Sequence, residues 1–296
     1  MGRGTSLAGV VLLFAVGCVS ACDRERPLTV GAKNFTEQLV LGEIVAQHLE
    51  QRLNRRVDRK LNLGGTLLAH QALVKGDIDL YPEYLGTALT AVLKLPVSSD
   101  PGRVWELVRT HYLSRFDIEW LDPLGFNNTF AMVIRGADAR THHLESLSDA
   151  AQHKPGWRLA MGYEFQQRPD GLSGLMKTYG LPLKGSPVTL DLGLLYQALE
   201  QQQVDMVAGN ATDGKLAVLD VVMLSDDKGY FPPYQAALAV RAEALKAEPR
   251  LAQVLNELSG KFSDTTMRTL NHQVDGEHLP LRQVAARFLR EAGLIH

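Results

Sequence analysis

The sequence predicts an α/β fold of two lobes, and three observations carry that expectation. Strand-like and helix-like patterns alternate from Leu28 onward. A helix-to-strand unit recurs at an offset of 126 residues, with no gap. The chain has 296 residues at 45% hydrophobic content, enough for two domains of moderate size.

The N-terminus comes first and reads as an address. Arg3 is followed by an apolar run from Leu7 to Val16 and then by small residues. That is a secretory signal, too short to span a bilayer permanently. Val19-Ser20-Ala21-Cys22 resembles a bacterial lipobox, in which Cys22 is lipidated; Ala15-Val16-Gly17-Cys18 matches less well. Residues 1–21 are then a lipoprotein-type signal and 22–27 a tether, with a plain signal peptide as the alternative. Both cysteines of the chain lie in this region, so the body is expected to hold neither a disulfide nor a cysteine metal site.

Leu28-Thr29-Val30-Gly31 is a short β run. Thr36 offers an N-cap, and Leu41, Ile44, Val45 and Leu49 recur at helical spacing. Gly64-Gly65 precedes a second helix from Leu67 to Lys75, Gly76 ends it, and Ile78 to Tyr81 runs as a strand into Pro82. The repeat is explicit here. Gln71-Ala72-Leu73 and Ile78-Asp79-Leu80 match Gln197-Ala198-Leu199 and Val204-Asp205-Met206, and Trp157 to Gly162 opens the second half as Leu28 to Gly31 opens the first. Ligands of open α/β sheets bind outside the carboxyl ends of the strands. The offset therefore sets Tyr84 opposite Asn210 and Thr87 opposite Asp213 across a shared cleft.

Lys33 and Arg168 each follow the opening strand of their half, where two cations suit a carboxylate. Tyr81, Tyr84, Phe130, Phe165, Tyr230, Phe231 and Tyr234 gather near strand ends, and aromatic faces bind quaternary ammonium groups. For Phe165 and Phe231 ordinary packing is the simpler reading. A net charge of −2 gives no bulk reason to bind nucleic acid or an acidic membrane. No nucleophile elbow, P-loop or dinucleotide fingerprint is present, and His142-His143 lacks a metal-binding frame, so no catalytic, cofactor or metal site is expected.

These segments together resemble the glycine betaine/choline/osmoprotectant-binding proteins of ABC importers. The likeness runs from Leu28 to His296 and rests on Lys33 to Gln38, Gly64-Gly65-Thr66, Tyr81 to Thr87 and Gly125 to Phe130. Arg168 to Gly171, Ala211 to Gly214 and Asp226 to Tyr234 complete it. The resemblance implies a type II periplasmic-binding-protein fold, with residues 28–125 and 232–296 as lobe one, 126–231 as lobe two, and two crossovers as the hinge. It implies that Lys33, Thr87 and Arg168 hold a ligand carboxylate while Tyr84 and Tyr234 wall a trimethylammonium group. Phe130 stands where many relatives have Tyr, Asn128 where some have Asp, and Asn210 where many have a further Tyr. The implied protein sits in the periplasm, anchored to the inner membrane by Cys22 alone, and delivers a betaine-type osmolyte to a permease and its ATPase. Another small polar ligand such as an amino acid, an enzyme on the same fold, and a sensing domain are the competing readings.

Overall fold

The computed structural model describes residues 1–2 and 26–295; residues 3–21 of the signal, with Cys18, and the lipobox Cys22 lie outside them. Among the described residues two five-stranded sheets form the framework. The first holds β1 (Leu28–Gly31), β2 (Val57–Lys60), β3 (Leu80–Tyr84), β4 (Ile118–Trp120) and β10 (Ala236–Arg241). The second holds β5 (Phe130–Arg135), β6 (Leu159–Met161), β7 (Val188–Thr189), β8 (Met206–Asn210) and β9 (Val221–Met223). Their orders are β2-β1-β3-β10-β4 and β7-β6-β8-β5-β9, the same pattern in both: three parallel strands, then one strand antiparallel to both its neighbours, then an edge strand running with the first three. β3 and β8 stand at the 126-residue offset seen in the sequence.

Both sheets are mixed: in the second, β5 enters from the first crossover and pairs antiparallel with β8, and the first borrows a strand from beyond the second crossover. β10 returns from the far end of the chain to pair antiparallel with β3. Pro82 lies within β3, which runs to Tyr84 and does not end at Tyr81 as the sequence pattern suggested. The proline is tolerated because β1 meets β3 only at Val30 and Leu80. Past that point nothing on the β1 side needs its missing N–H.

Helix α1 (Thr36–Leu53) begins one residue earlier than a Thr36 cap would have it, with Phe35 at the N-cap and the Thr36 hydroxyl turned to Asp275. Its Leu41, Ile44, Val45 and Leu49 are buried against the first sheet together with Leu238, Val284 and Leu289. Each such side chain contributes about 1.5–3 kcal/mol by leaving water. The other face of the sheet is covered by α2 (Thr66–Lys75) and the helix Pro101–Phe116, through Leu73, Val104, Val108 and Tyr112. Gly76 closes α2 with φ 77°, the left-handed conformation a glycine adopts without strain. In the second sheet β5 alternates, with Met132 and Ile134 in one core and Ala131 and Val133 in the other.

The two crossovers lie side by side. Asn127 and Gln235 form an antiparallel bridge, and the Asn127 side-chain oxygen accepts the Tyr234 N–H at 2.7 Å. The lobes are closed on each other. At Gly214 the second lobe meets the helix Asp264–Asp275 so tightly that a Cβ there would stand 2.5 Å from the backbone nitrogen of His272.

Candidate functional site

The carboxyl ends of β3 and β8, the loops after β1 and β6, and the hinge all open on the line where the lobes meet. Lys33, two residues past β1, is 2% exposed. Its Nζ lies 2.6 Å from Glu83 Oε1, 3.5 Å from the Thr66 hydroxyl and 4.7 Å from the centre of the Tyr84 ring. Arg168 follows β6 by way of the short helix Tyr163–Gln167. Its guanidinium is buried and grips Asp170 with two bonds, at 2.9 and 2.5 Å, while Nη1 donates to Thr87 Oγ1 of the other lobe at 2.9 Å. A cation out of water requires such a counter-charge. Asp170, fully buried, also accepts from Thr90 at 2.9 Å and from the Tyr234 hydroxyl, which burial pushes well above its ordinary range.

The aromatic residues supply faces to these cations. Arg168 stands 4.9 Å from the Phe130 ring centre and 5.6 Å from that of Tyr234, and Phe165 braces Phe130 edge-on at 4.9 Å. Each cation–ring contact is worth about 0.5–2 kcal/mol, the upper end applying where water is excluded. Tyr84, Phe130 and Tyr234 thus turn electron-rich faces to the two buried cations.

Between the lobes sits a carboxylate whose role the sequence did not disclose. Glu37, on the first turn of α1, is 2% exposed. Its Oε1 accepts from the Tyr84 hydroxyl at 2.7 Å and from Asn128 Nδ2 at 2.8 Å. Its Oε2 accepts from the Thr212 hydroxyl and from Asn271 Nδ2 at 3.1 Å. Burial raises its pKa, and the bonds from Thr212, Tyr84 and Asn271 pull in the opposite direction. Asn128 therefore sits beside an acid without being one. The carboxyl group its amide lacks stands next to it, on Glu37.

Asn210 ends β8 directly opposite Phe130 on β5. Its backbone N–H and side-chain amide both turn to Asp213, at 2.8 and 3.4 Å. Asp213 also accepts from Tyr196 at 2.9 Å, and burial raises its pKa. Of the residues singled out in the sequence, Lys33, Tyr84, Thr87, Asn128, Phe130, Arg168 and Tyr234 form one cluster spanning both lobes, through these contacts and through the Asn128 N–H, which donates to the Tyr234 carbonyl at 3.1 Å. Asn210 joins that cluster through its pairing with Phe130. The acids Glu37, Glu83 and Asp170 were missed, whereas the offset had already set Asp213 in the cleft. All three lie inside motifs already quoted, and the requirement that buried cations find counter-charges was the signal that could have found Glu83 and Asp170.

Two lobes, paired crossovers and a buried cluster of cations and aromatic rings at the lobe junction define a type II periplasmic binding protein. The family described as the substrate-binding domain of ABC-type glycine betaine transport systems matches residues 26–291. The chain belongs to that family, which is a transport class and not an enzyme class. It is 36% identical over 271 residues to the ergothioneine transport permease/ergothioneine binding protein EgtU of Helicobacter pylori (strain G27), covering 91% of this chain and 48% of that one. It therefore spans about half the length of that relative. It is also 35% identical over 294 residues to a glycine-betaine-binding protein of Pseudomonas aeruginosa, covering 96% and 92% of the two chains. A crystal structure of a glycine betaine/carnitine/choline ABC transporter superposes with a TM-score of 0.79 at 32% identity, over 90% of this chain and 99% of that one. Among the described residues no helix is long and apolar enough to cross a membrane.

Proposed function

We propose that this protein captures a small zwitterion with a quaternary ammonium group and a carboxylate, glycine betaine or a close analogue. It delivers that ligand to an ABC permease and its ATPase. The observation that carries the reading is the convergence of two buried cations, Lys33 and Arg168, on the ring faces of Tyr84, Phe130 and Tyr234. Lys33, Thr87 and Arg168 hold the carboxylate, the three rings face the ammonium group, and Asn128 and Asn210 complete the wall. Residues 28–125 with 232–296, and residues 126–231, form the two jaws, which rotate about the paired crossovers. Glycine betaine, carnitine and ergothioneine, named for relatives of this chain, all share the trimethylammonium and carboxylate pair.

Calorimetric titration with glycine betaine, carnitine, ergothioneine, choline and a set of amino acids tests the ligand class. Binding of trimethylammonium compounds and not of amino acids is the expected result, and the reverse pattern removes the reading. Cys22 carries the lipid anchor in the same proposal, on the strength of the lipobox-like Val19-Ser20-Ala21-Cys22. Cys22→Ala is then expected to move the protein from the inner membrane to the soluble periplasm. A variant that stays with the membrane shows that Cys22 is not the anchor.

A further inference from the structure

The Gly64-Gly65-Thr66 turn has a partner in the other lobe. Glu164, on the helix Tyr163–Gln167, reaches across the junction, and its Oε1 accepts the Thr66 N–H at 2.8 Å. Its Oε2 accepts the Thr66 hydroxyl at 3.1 Å and lies 3.5 Å from Arg168 Nη1. The same hydroxyl is 3.5 Å from Lys33 Nζ. A Cβ on Gly65 would stand 2.9 Å from Glu164 Oε1, so a side chain there would push the carboxylate back from the start of α2.

The donors assigned above to a ligand carboxylate are thus already facing a carboxylate of the protein. Burial acts to raise the Glu164 pKa, but the charges of Lys33 and Arg168 and the two Thr66 donors outweigh it and hold the group below its ordinary value. Glu164 differs from the other acids on these cations in one respect. Glu83 and Asp170 have no exposed side-chain surface, whereas Glu164 keeps 37% of its own. Glu83 and Asp170 are fixtures of the core. Glu164 has solvent to move into.

We propose that Glu164 is a specificity-determining residue, an internal carboxylate seated among Lys33, Thr66 and Arg168 that competes with the carboxylate of a zwitterionic ligand. It lowers the site's preference for betaines relative to trimethylammonium compounds that carry no carboxylate. The inference rests on the betaine reading given above. The two are separable, because the competition acts on one end of the ligand only. Glu164 also ties the lobes together, so any change to it alters closure for every ligand alike. A ratio of two affinities cancels that shared contribution.

The experiment is calorimetric titration of the full chain, its Glu164→Gln variant and its Arg168→Ala variant with glycine betaine and with choline. Glutamine keeps the shape and the acceptor for Thr66 and removes the charge. The expected result is that the ratio of dissociation constants, glycine betaine over choline, falls about tenfold in Glu164→Gln, the order found for a close charged group in a binding site. A ratio unchanged within about twofold, with Arg168→Ala still weakening glycine betaine selectively, overturns the competition and leaves the betaine reading intact. A ratio that rises shows that Glu164 supports the carboxylate site, and also overturns the proposal. If neither ligand binds the wild type or Glu164→Gln, the betaine reading fails and takes the proposal with it.

Discussion

Thr212→Val isolates the contribution of the Glu37 latch to ligand capture. Thr212 is 1% exposed, and its hydroxyl donates to the Glu37 carboxylate from the second lobe, beyond the crossover that carries Asn128. Valine replaces that hydroxyl with a methyl of similar size. The Thr212 carbonyl, which accepts Asn271 Nδ2 at 2.9 Å, and the neighbouring Ala211 carbonyl, which accepts Arg268 Nε at 2.7 Å, are backbone groups and stay in place. Only one bond is lost, and the acid it leaves is buried with its three remaining donors. A hydrogen bond to a charged group contributes about 1.5–3 kcal/mol. When the jaws part, water reaches both Thr212 and Glu37, so the loss falls on closure and not on folding. Titration with glycine betaine is then expected to show affinity roughly 10- to 150-fold weaker. Thr212→Ser, which keeps the hydroxyl, is expected to bind within a few-fold of the wild type. Circular dichroism confirms that both variants are folded. Affinity of the valine variant within twofold of the wild type, in folded protein, refutes the idea that this bond holds the jaws shut.

Other outcomes follow from the same contacts. Arg168→Ala is expected to weaken glycine betaine by about 2–4 kcal/mol, and choline by less but not by nothing, since Arg168 also fastens Thr87 across the junction. Equal losses for both ligands in titration place its role in closure alone. Asn210→Tyr sets a ring beside Phe130 and is expected to tighten glycine betaine by about 0.5–2 kcal/mol, the value of one added cation–π contact. Unchanged affinity removes Asn210 from the ammonium site. Asp213 is held above its ordinary 3.8 by burial, so it favours the folded protein most below that pH and loses that contribution as pH rises through its folded value. Asp213→Asn carries no such loss. Its melting temperature minus that of the wild type is therefore expected to climb as pH is raised from 3.8, and a difference that falls with pH contradicts the raised pKa.

The framework was legible in the sequence because periodicity and position speak for it directly. Leu41, Ile44, Val45 and Leu49 mark the buried stripe of α1, and the 126-residue offset anticipates that β3 and β8 hold equivalent places in matching sheets. Strand ends were less legible, since β3 runs on through Pro82 for want of a neighbour on that side, which is a fact of the sheet and not of the residue. In the site, the cations and aromatic rings stood out by type and place. The acids did not. Glu37 is one of 33 Asp and Glu residues, and nothing local distinguishes it. Its importance comes from Tyr84, Asn128, Thr212 and Asn271, which are brought to it from distant parts of the chain. Likewise Gly65 is marked by sequence as a turn residue, but the carboxylate that needs its missing side chain is 99 residues away at Glu164.

Where Gly214 meets the backbone of His272, the two jaws leave no room even for a Cβ. Such a contact is a hard stop. A soft interface of long side chains would let the jaws settle at a different gap for each cargo, and the outer contour of the protein would vary with what it carried. A stop made of backbone fixes the final gap instead. Ligands then differ in how long they keep the jaws shut, and not in the shape that the shut protein presents. A partner that recognises the shut contour receives a yes-or-no signal, and the discrimination between cargoes is completed inside the cleft before that signal is given.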